Sequence, residues 1–394
     1  MERIGIYGGT FNPPHIGHMH AAQQAFALLQ LDKLLLIPDR IAPHKALPEG
    51  SASAEQRLQM LEIATAGIPY AQICDLELRR EGTSYTYLTV QELKEQYPND
   101  ELIVIMGTDM FLSFLTWRYP EKIWENATLA VLFRGDKDEK NAIDAQKAKM
   151  EALGAKVEVV DNDVTAISST DLRRMLAFGC AASYLPDGVN QYIRDNGLYG
   201  TKDCYKQLPM ERLEEVVVSL IDPKRVAHVL GCRDTAVELA KHWSADETDA
   251  ARAGILHDIT KALRGGLQLT LCSEYGIILD DFSAKYPKTL HALTGSLVAE
   301  RIFGENKAVV NAIRHHTTGK ADMNLLEKII YVADYMEPCR NFPGVEKLRE
   351  LAYSDLDAAL KLGLEMTLEL LKKQGNEVSP ASRDALNWLN GKDR

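Results

Sequence analysis

Two histidines, His15 and His18, stand three positions apart in GIYGGTFNPPHIGH, directly after a short apolar run and a glycine pair. No cysteine or acid lies beside them, so the pair is not arranged for nucleophilic or carboxylate chemistry. Gly8 and Gly9 let the backbone approach a ligand closely, with Thr10 next to them. A helix starting near His15 would offer unpaired N–H donors and a partial positive charge. Imidazole N–H groups there can stabilise charge spread over phosphoryl oxygens without forming a covalent intermediate. A second anion site is expected at ISSTDLRR, residues 167–174, where Ser168, Ser169 and Thr170 are good helix-start residues and Arg173 follows on the first turns. Together the two stretches make a two-sided polyphosphate clamp.

The second half carries a different set. It comprises His228 in KRVAHVLG, the dipeptide His257–Asp258 on an apolar helix, His291 in YPKTLHALTG, His316 in AIRHHTTG, and Asp334 in another apolar helix. Burying imidazoles with carboxylates costs several kcal/mol unless they are paired or bound to metal. Imidazole and carboxylate ligands on several helices suit iron, manganese, cobalt or zinc. Six ligands suffice for two metals bridged by Asp258 and a hydroxide, a pair that generates a nucleophile and neutralises phosphate charge. His242 has no such context and reads as a surface residue.

The elements that must position these residues change character along the chain. Up to about Gly200, RIGIY, KLLLIP, ELIVIMG, TLAVLF and KVEVV read as buried strands, and SAEQRLQMLEIATAG and YTYLTVQELKEQY as amphipathic helices between them. Alternation of this kind predicts an α/β Rossmann-like domain, a parallel sheet with helices on both faces and ligands at the strand carboxyl ends. Residues 1–200 form that domain, 201–208 a polar linker, and 209–394 an all-α domain in which no strand is expected. The 394-residue length suits two domains, and the net charge of −11 argues against a broad grip on nucleic acid or an anionic membrane. The six cysteines form no CxxC pair, and the chain shows no signal peptide or membrane-length apolar run, so a cytoplasmic protein is expected. Exposed helix faces would permit a homodimer.

GGTFNPPHIGH and ISSTDLR together resemble the nucleotidyltransferase superfamily with the HxGH signature. Over residues 1–200 the likeness is to bacterial nicotinate mononucleotide adenylyltransferases, with further matches at APHK, SYTY, MGTD, Trp117 and Arg134. The resemblance implies transfer of AMP from ATP to nicotinate mononucleotide, with Mg²⁺ arriving with ATP. It implies that His15, His18, Arg173, Ser168, Ser169 and Lys45 hold phosphates. Gly107 and Asp109 would meet the adenosine side, and Tyr85, Thr86 and Trp117 the nicotinate ring. An acceptor such as pantetheine phosphate is the alternative.

HDITK, HHTTG and YVADYMEPCRNFPGV resemble the HD superfamily of metal-dependent phosphohydrolases. Over residues 209–390 the likeness is to YqeK-type symmetrical bis(5′-nucleosyl)-tetraphosphatases. It implies hydrolysis of diadenosine tetraphosphate to two ADP by a metal pair on His228, His257, Asp258, His291, His316 and Asp334. Iron, Fe²⁺ or Fe³⁺, is the implied metal, with Mn²⁺ or Co²⁺ also fitting these ligands. Lys261, Thr317 and Arg340 would contact the polyphosphate. A dNTP or guanosine alarmone substrate, or a non-catalytic nucleotide sensor, stays open for this half.

Overall fold

The structure, a computed structural model, describes residues 1–41, 47–133, 137–163 and 167–392. Lys45 and Arg134 lie outside the described residues. The chain divides into two compact units, Met1–Asp203 and Cys204–Arg394.

The first unit is built on six strands: β1 (Arg3–Gly9), β2 (Lys33–Pro38), β3 (Ala71–Ile73), β4 (Glu101–Gly107), β5 (Thr128–Phe133) and β6 (Val157–Asp161). All pair in parallel, in the order β3-β2-β1-β4-β5-β6. Ile4 faces Lys33 on one side and Leu102 on the other, so β1 and β4 form the centre. Side chains alternate across the sheet. Leu34, Leu36 and Ile103 pack into one core with Ala25, while Leu35, Ile37, Val104 and Met106 pack into the other. Burial on both faces explains why these strands read as continuous apolar runs. The strand order reverses between β1 and β4, which opens a crevice at their carboxyl ends. β3 is the one strand the apolar pattern did not signal. It has only three residues, AQI, none of them fully buried.

The second unit is helical, with no strand among its described residues. Five helices bear on the histidine set: Val226–His242, Glu247–Leu256, Leu290–Arg301, Lys307–His315 and Leu325–Met336. The first two cross closely at Gly254, where a Cβ would lie 2.8 Å from Arg233 Cα. The polar segment that opens this unit packs onto its helices from Tyr205 onward. Tyr205 stacks on Phe303, Gln207 N–H donates to Phe303 O, and Arg252 Nη1 donates to Leu208 O. No helix among the described residues is long and apolar enough to cross a membrane.

Candidate active sites

The helix Ile16–Leu28 is capped by histidines. His15, extended at φ −143°, occupies the cap position, and its Nδ1 accepts the His18 backbone N–H at 3.3 Å. His18 Nδ1 accepts the His15 backbone N–H at 3.3 Å in return. The two rings stack with centroids 3.6 Å apart, and the His18 ring meets the edge of Phe11. A ring nitrogen that accepts a backbone N–H carries no hydrogen, so each Nε2 bears the proton and is left as a donor. Burial pushes His15 down to about 2, with His18 beside it adding to the effect, and burial pushes His18 down to about 4. Both rings are therefore neutral donors at neutral pH.

His18 lines a cavity of about 240 Å³ together with Thr10, Ser168, Ser169 and Arg173. Ser168 caps the helix Ser169–Ala177 by accepting Asp171 N–H. Arg173 donates from Nη1 to Asn12 O at 2.8 Å and from Nη2 to Thr170 Oγ1 at 3.2 Å, which pins it to the loop after β1. The two stretches expected to bind anions, over 150 residues apart, thus meet at one cavity. Gly8 and Gly9 are strand residues paired with Ile37 and Pro38. A Cβ on Gly9 would press within 3.2 Å of the Phe11 ring.

Gly107 ends β4 at the same sheet edge as Gly9 and precedes the short helix Thr108–Ser113, with Asp109 exposed in its first turn. Tyr85 stands at the start of the helix Thr86–Gln96. Trp117 is partly buried against Phe114, centroids 5.0 Å apart. Its neighbour Arg118 places a guanidinium 4.8 Å from the Tyr85 ring. The Tyr85 and Trp117 segments therefore meet, but neither residue is among the described lining of the 240 Å³ cavity, nor are Gly107 and Asp109.

In the second unit Asp258 sits at the middle of four imidazoles. Its Oδ2 lies 3.5 Å from both His228 Nε2 and His257 Nε2, and its Oδ1 lies 3.5 Å from His291 Nε2 and 3.7 Å from His316 Nε2. Asp334 Oδ1 adds a carboxylate 3.3 Å from His228 Nε2. One carboxylate oxygen thus faces each half of the cluster. The helix expected through His257–Asp258 ends at Leu256; His257 caps it and Asp258 follows in a turn, and His316 likewise caps the helix Lys307–His315. At these ends His257 Nδ1 donates to Gly254 O at 2.6 Å and His316 Nδ1 to Ile313 O at 2.7 Å. His291 Nδ1 donates to Lys288 O at 2.8 Å. A carbonyl only accepts, so each of these rings, when neutral, turns its Nε2 lone pair inward. Burial opposes the charge on His257, but Cys232 and Asp258 beside it raise it well above the ordinary imidazole value, so a metal would have to displace its Nε2 proton.

The carboxylates suit the same purpose. Burial alone would raise Asp258, but the imidazoles around it, His257 foremost, hold it well below the usual carboxylate range. Burial opposes the charge on Asp334 too, yet His257 and Arg340 bring it down to about 2. Burial, Lys261 and His316 depress His291 to about 3, which keeps its ring neutral. Inward lone pairs, ionised carboxylates and a shared central aspartate are a donor set that fits divalent metal ions. Around it, Lys261 Nζ lies 3.0 Å from His291 Nε2, Thr317 Oγ1 3.0 Å from the same atom, and Arg340 pairs with Asp334.

Against known families, residues 6–175 match the cytidylyltransferase-like family and residues 225–339 the HD domain. The "Probable nicotinate-nucleotide adenylyltransferase" of Dictyoglomus turgidum is 35% identical over 202 residues, covering 51% of this chain and 97% of that protein. Its namesake in Geobacillus thermodenitrificans is 39% identical over 209 residues, covering 52% and 91%. The chain belongs to the nicotinate-nucleotide adenylyltransferase family. Its second unit carries an HD domain in addition. A solved structure described as a "predicted HD superfamily hydrolase involved in NAD metabolism", from Clostridium acetobutylicum, is 36% identical and covers 47% of this chain and 98% of its own, with a TM-score of 0.46.

In this member of the adenylyltransferase family, several residues at the two sites carry no motif signal. Arg57 is fully buried and donates to Thr10 O at 2.7 Å and to Asp39 O at 2.7 Å, while Asp39 accepts Thr10 Oγ1–H. Tyr199 O–H donates to Asn12 Oδ1 at 2.7 Å, from the far end of the unit. In the HD domain Arg225 pairs with Asp258, and Glu337 meets His228 Nδ1 at 3.0 Å. His242 is exposed and bonds Tyr353 O through Nε2.

Proposed function

We propose that the chain is a bifunctional enzyme. The first unit transfers AMP from ATP to nicotinate mononucleotide, releasing pyrophosphate and forming nicotinate adenine dinucleotide. The observation that carries this reading is the reciprocal histidine cap, which leaves two neutral Nε2–H donors beside an arginine pinned to the same loop. A phosphate oxygen of the acceptor attacks the α-phosphorus of ATP in line with the leaving pyrophosphate. His15, His18 and Arg173, with Ser168 and Ser169 at their helix start, hold the charge that spreads over the phosphoryl oxygens. Tyr85, Thr86 and Trp117 take the nicotinate ring, and Gly107 and Asp109 the adenosine. Mg²⁺ enters with ATP. The names borne by the relatives support the same reaction. With ATP present, nicotinate mononucleotide should yield the dinucleotide and pyrophosphate, and pantetheine phosphate should yield neither. His18→Ala should lower kcat by about 10²–10³-fold. Turnover of pantetheine phosphate instead would overturn the reading.

The second unit hydrolyses diadenosine tetraphosphate to two ADP. Bound metal ions would supply a hydroxide at neutral pH and offset phosphate charge. His228, His257, Asp258 and Asp334 would hold one ion, and His291, His316 and Asp258 the other. Lys261, Thr317 and Arg340 steady the polyphosphate chain. The shared Asp258, one oxygen toward each side, is the observation that favours a pair over a single ion. Full-length protein with Fe²⁺ or Mn²⁺ and reductant should convert diadenosine tetraphosphate to ADP alone. Products AMP plus ATP would mean a different cleavage geometry. No turnover with metal bound would leave another nucleotide, or sensing, as the role of this half. We place the enzyme in the cytoplasm, with these nucleotides as its partners.

A further inference from the structure

We infer that Glu337 is a positioning residue that holds His228 for metal binding, and that one of the two metal positions depends on it selectively. This rests on the metal-pair reading of the HD domain.

Three of the four imidazoles are oriented locally. His257, His291 and His316 each bond the carbonyl three residues earlier in their own segment. His228 differs: its Nδ1 meets a side-chain carboxylate, Glu337 Oε1, 109 residues away. Glu337 directly follows the helix Leu325–Met336 that carries Asp334. One short stretch therefore reaches both ends of the same ring. Asp334 Oδ1 lies 3.3 Å from Nε2 and Glu337 Oε1 lies 3.0 Å from Nδ1.

Glu337 is itself built in. It is 0% exposed, and its Oε2 accepts Cys339 N–H at 2.6 Å. Gly231, on the same helix as His228, leaves the space it needs, since a Cβ there would come 2.7 Å from Glu337 Oε2. Arg349 donates from Nη2 to Glu337 O, fixing the backbone. A buried carboxylate is costly without strong partners, and Oε1 has two, the His228 imidazole at 3.0 Å and the Arg340 guanidinium at 3.7 Å. Carboxylates behind metal-binding imidazoles fix tautomer and ring angle and strengthen the donor nitrogen, and their loss typically lowers metal affinity about 10–100-fold. Among the described residues only the His228 side has one, so its loss should weaken one metal position and spare the other.

The test is Mn²⁺ binding to the full-length protein, followed by equilibrium dialysis and electron paramagnetic resonance. Wild type should bind two equivalents at the HD domain. Glu337→Gln keeps the volume and should weaken one equivalent about 10–100-fold, leaving the other within about twofold and the metal-free melting temperature close to wild type. Gly231→Ala, which retains the charge but displaces it, should weaken the same equivalent. In a His228→Ala background Glu337→Gln should add nothing, because the two act as one unit. Wild-type affinity in Glu337→Gln, an additive loss in that background, or equal weakening of both equivalents with a fallen metal-free melting temperature would each overturn the inference. Wild type without bound Mn²⁺ would overturn the metal-pair reading itself, and the inference with it.

Discussion

Histidine is an unusual helix cap, and at Ile16–Leu28 the use of two of them couples the start of the helix to acid stability. Both rings are held neutral by burial, His18 down to about 4. An unfolded His18 takes up a proton near pH 6.5, whereas the folded one waits until about 4. Between those values the unfolded state binds more protons, so stability falls as pH falls from 6.5 to 4 and this contribution is flat above 6.5. His18→Asn, which retains a capping side chain, should flatten the slope of stability against pH in that window; denaturant titrations of both proteins at several pH values would measure it. Arg57 is the second residue-scale case. Replacing it with Met strips Thr10 O and Asp39 of a buried cation, and should cost about 3–5 kcal/mol and lower transferase kcat through the displaced Thr10 loop. Denaturant midpoints together with steady-state kinetics would check both effects. The type and spacing of His15, His18 and Arg173 are legible in the chain, but the reciprocal cap is not, because histidine carries no capping signal. Arg57 sits within an amphipathic run where an arginine reads as the solvated face. Glu337 and Tyr199 owe their roles to partners over 100 residues away, which no local pattern encodes.

Among the elements, the strands with apolar runs were readable because burial on both faces removes polar residues from them. β3 escaped because a three-residue edge strand has neither length nor burial to leave a pattern. In the helical unit, periodicity marks the helices but not their ends, and the ends matter most: His257 and His316 act from cap positions, where a ring reaches back to the carbonyl three residues earlier. Their presentation depends on how closely the helices approach. Gly254 lies three residues before His257, at the crossing with Val226–His242, and any Cβ would meet Arg233 backbone at 2.8 Å. Gly254→Ala should therefore push the two helices apart and cost about 1–3 kcal/mol. Because His228 and His257 ride on those two helices, their Nε2 separation of 3.2 Å should widen as well. The expected outcome is a lower melting temperature and weaker Mn²⁺ binding, both of which Gly391→Ala, with open space around its Cβ position, should leave unchanged.

At the scale of the molecule, each unit has its own buried core. In the first it lies on both faces of the sheet, with Ile103 on one and Leu129 on the other, and Val229, Ile255, Ile313 and Ile330 are buried in the second. Two cores of this kind unfold as separate cooperative transitions unless an interface joins them. Metal ions, by contrast, would be tied to one unit only, through ligands drawn from five segments spread over residues 228–334. A ligand that binds only the folded form raises the stability of the unit that holds it, by about 2.7 kcal/mol at a hundredfold excess over its dissociation constant. Calorimetry of the full-length protein should thus give two transitions. Adding chelator should lower the one belonging to the HD domain by several degrees and leave the other in place. ATP with Mg²⁺ should raise the other, and His18→Ala should diminish that rise. If chelator moved both transitions together, the units would be one cooperative body and the separation of the two sites would have to be abandoned.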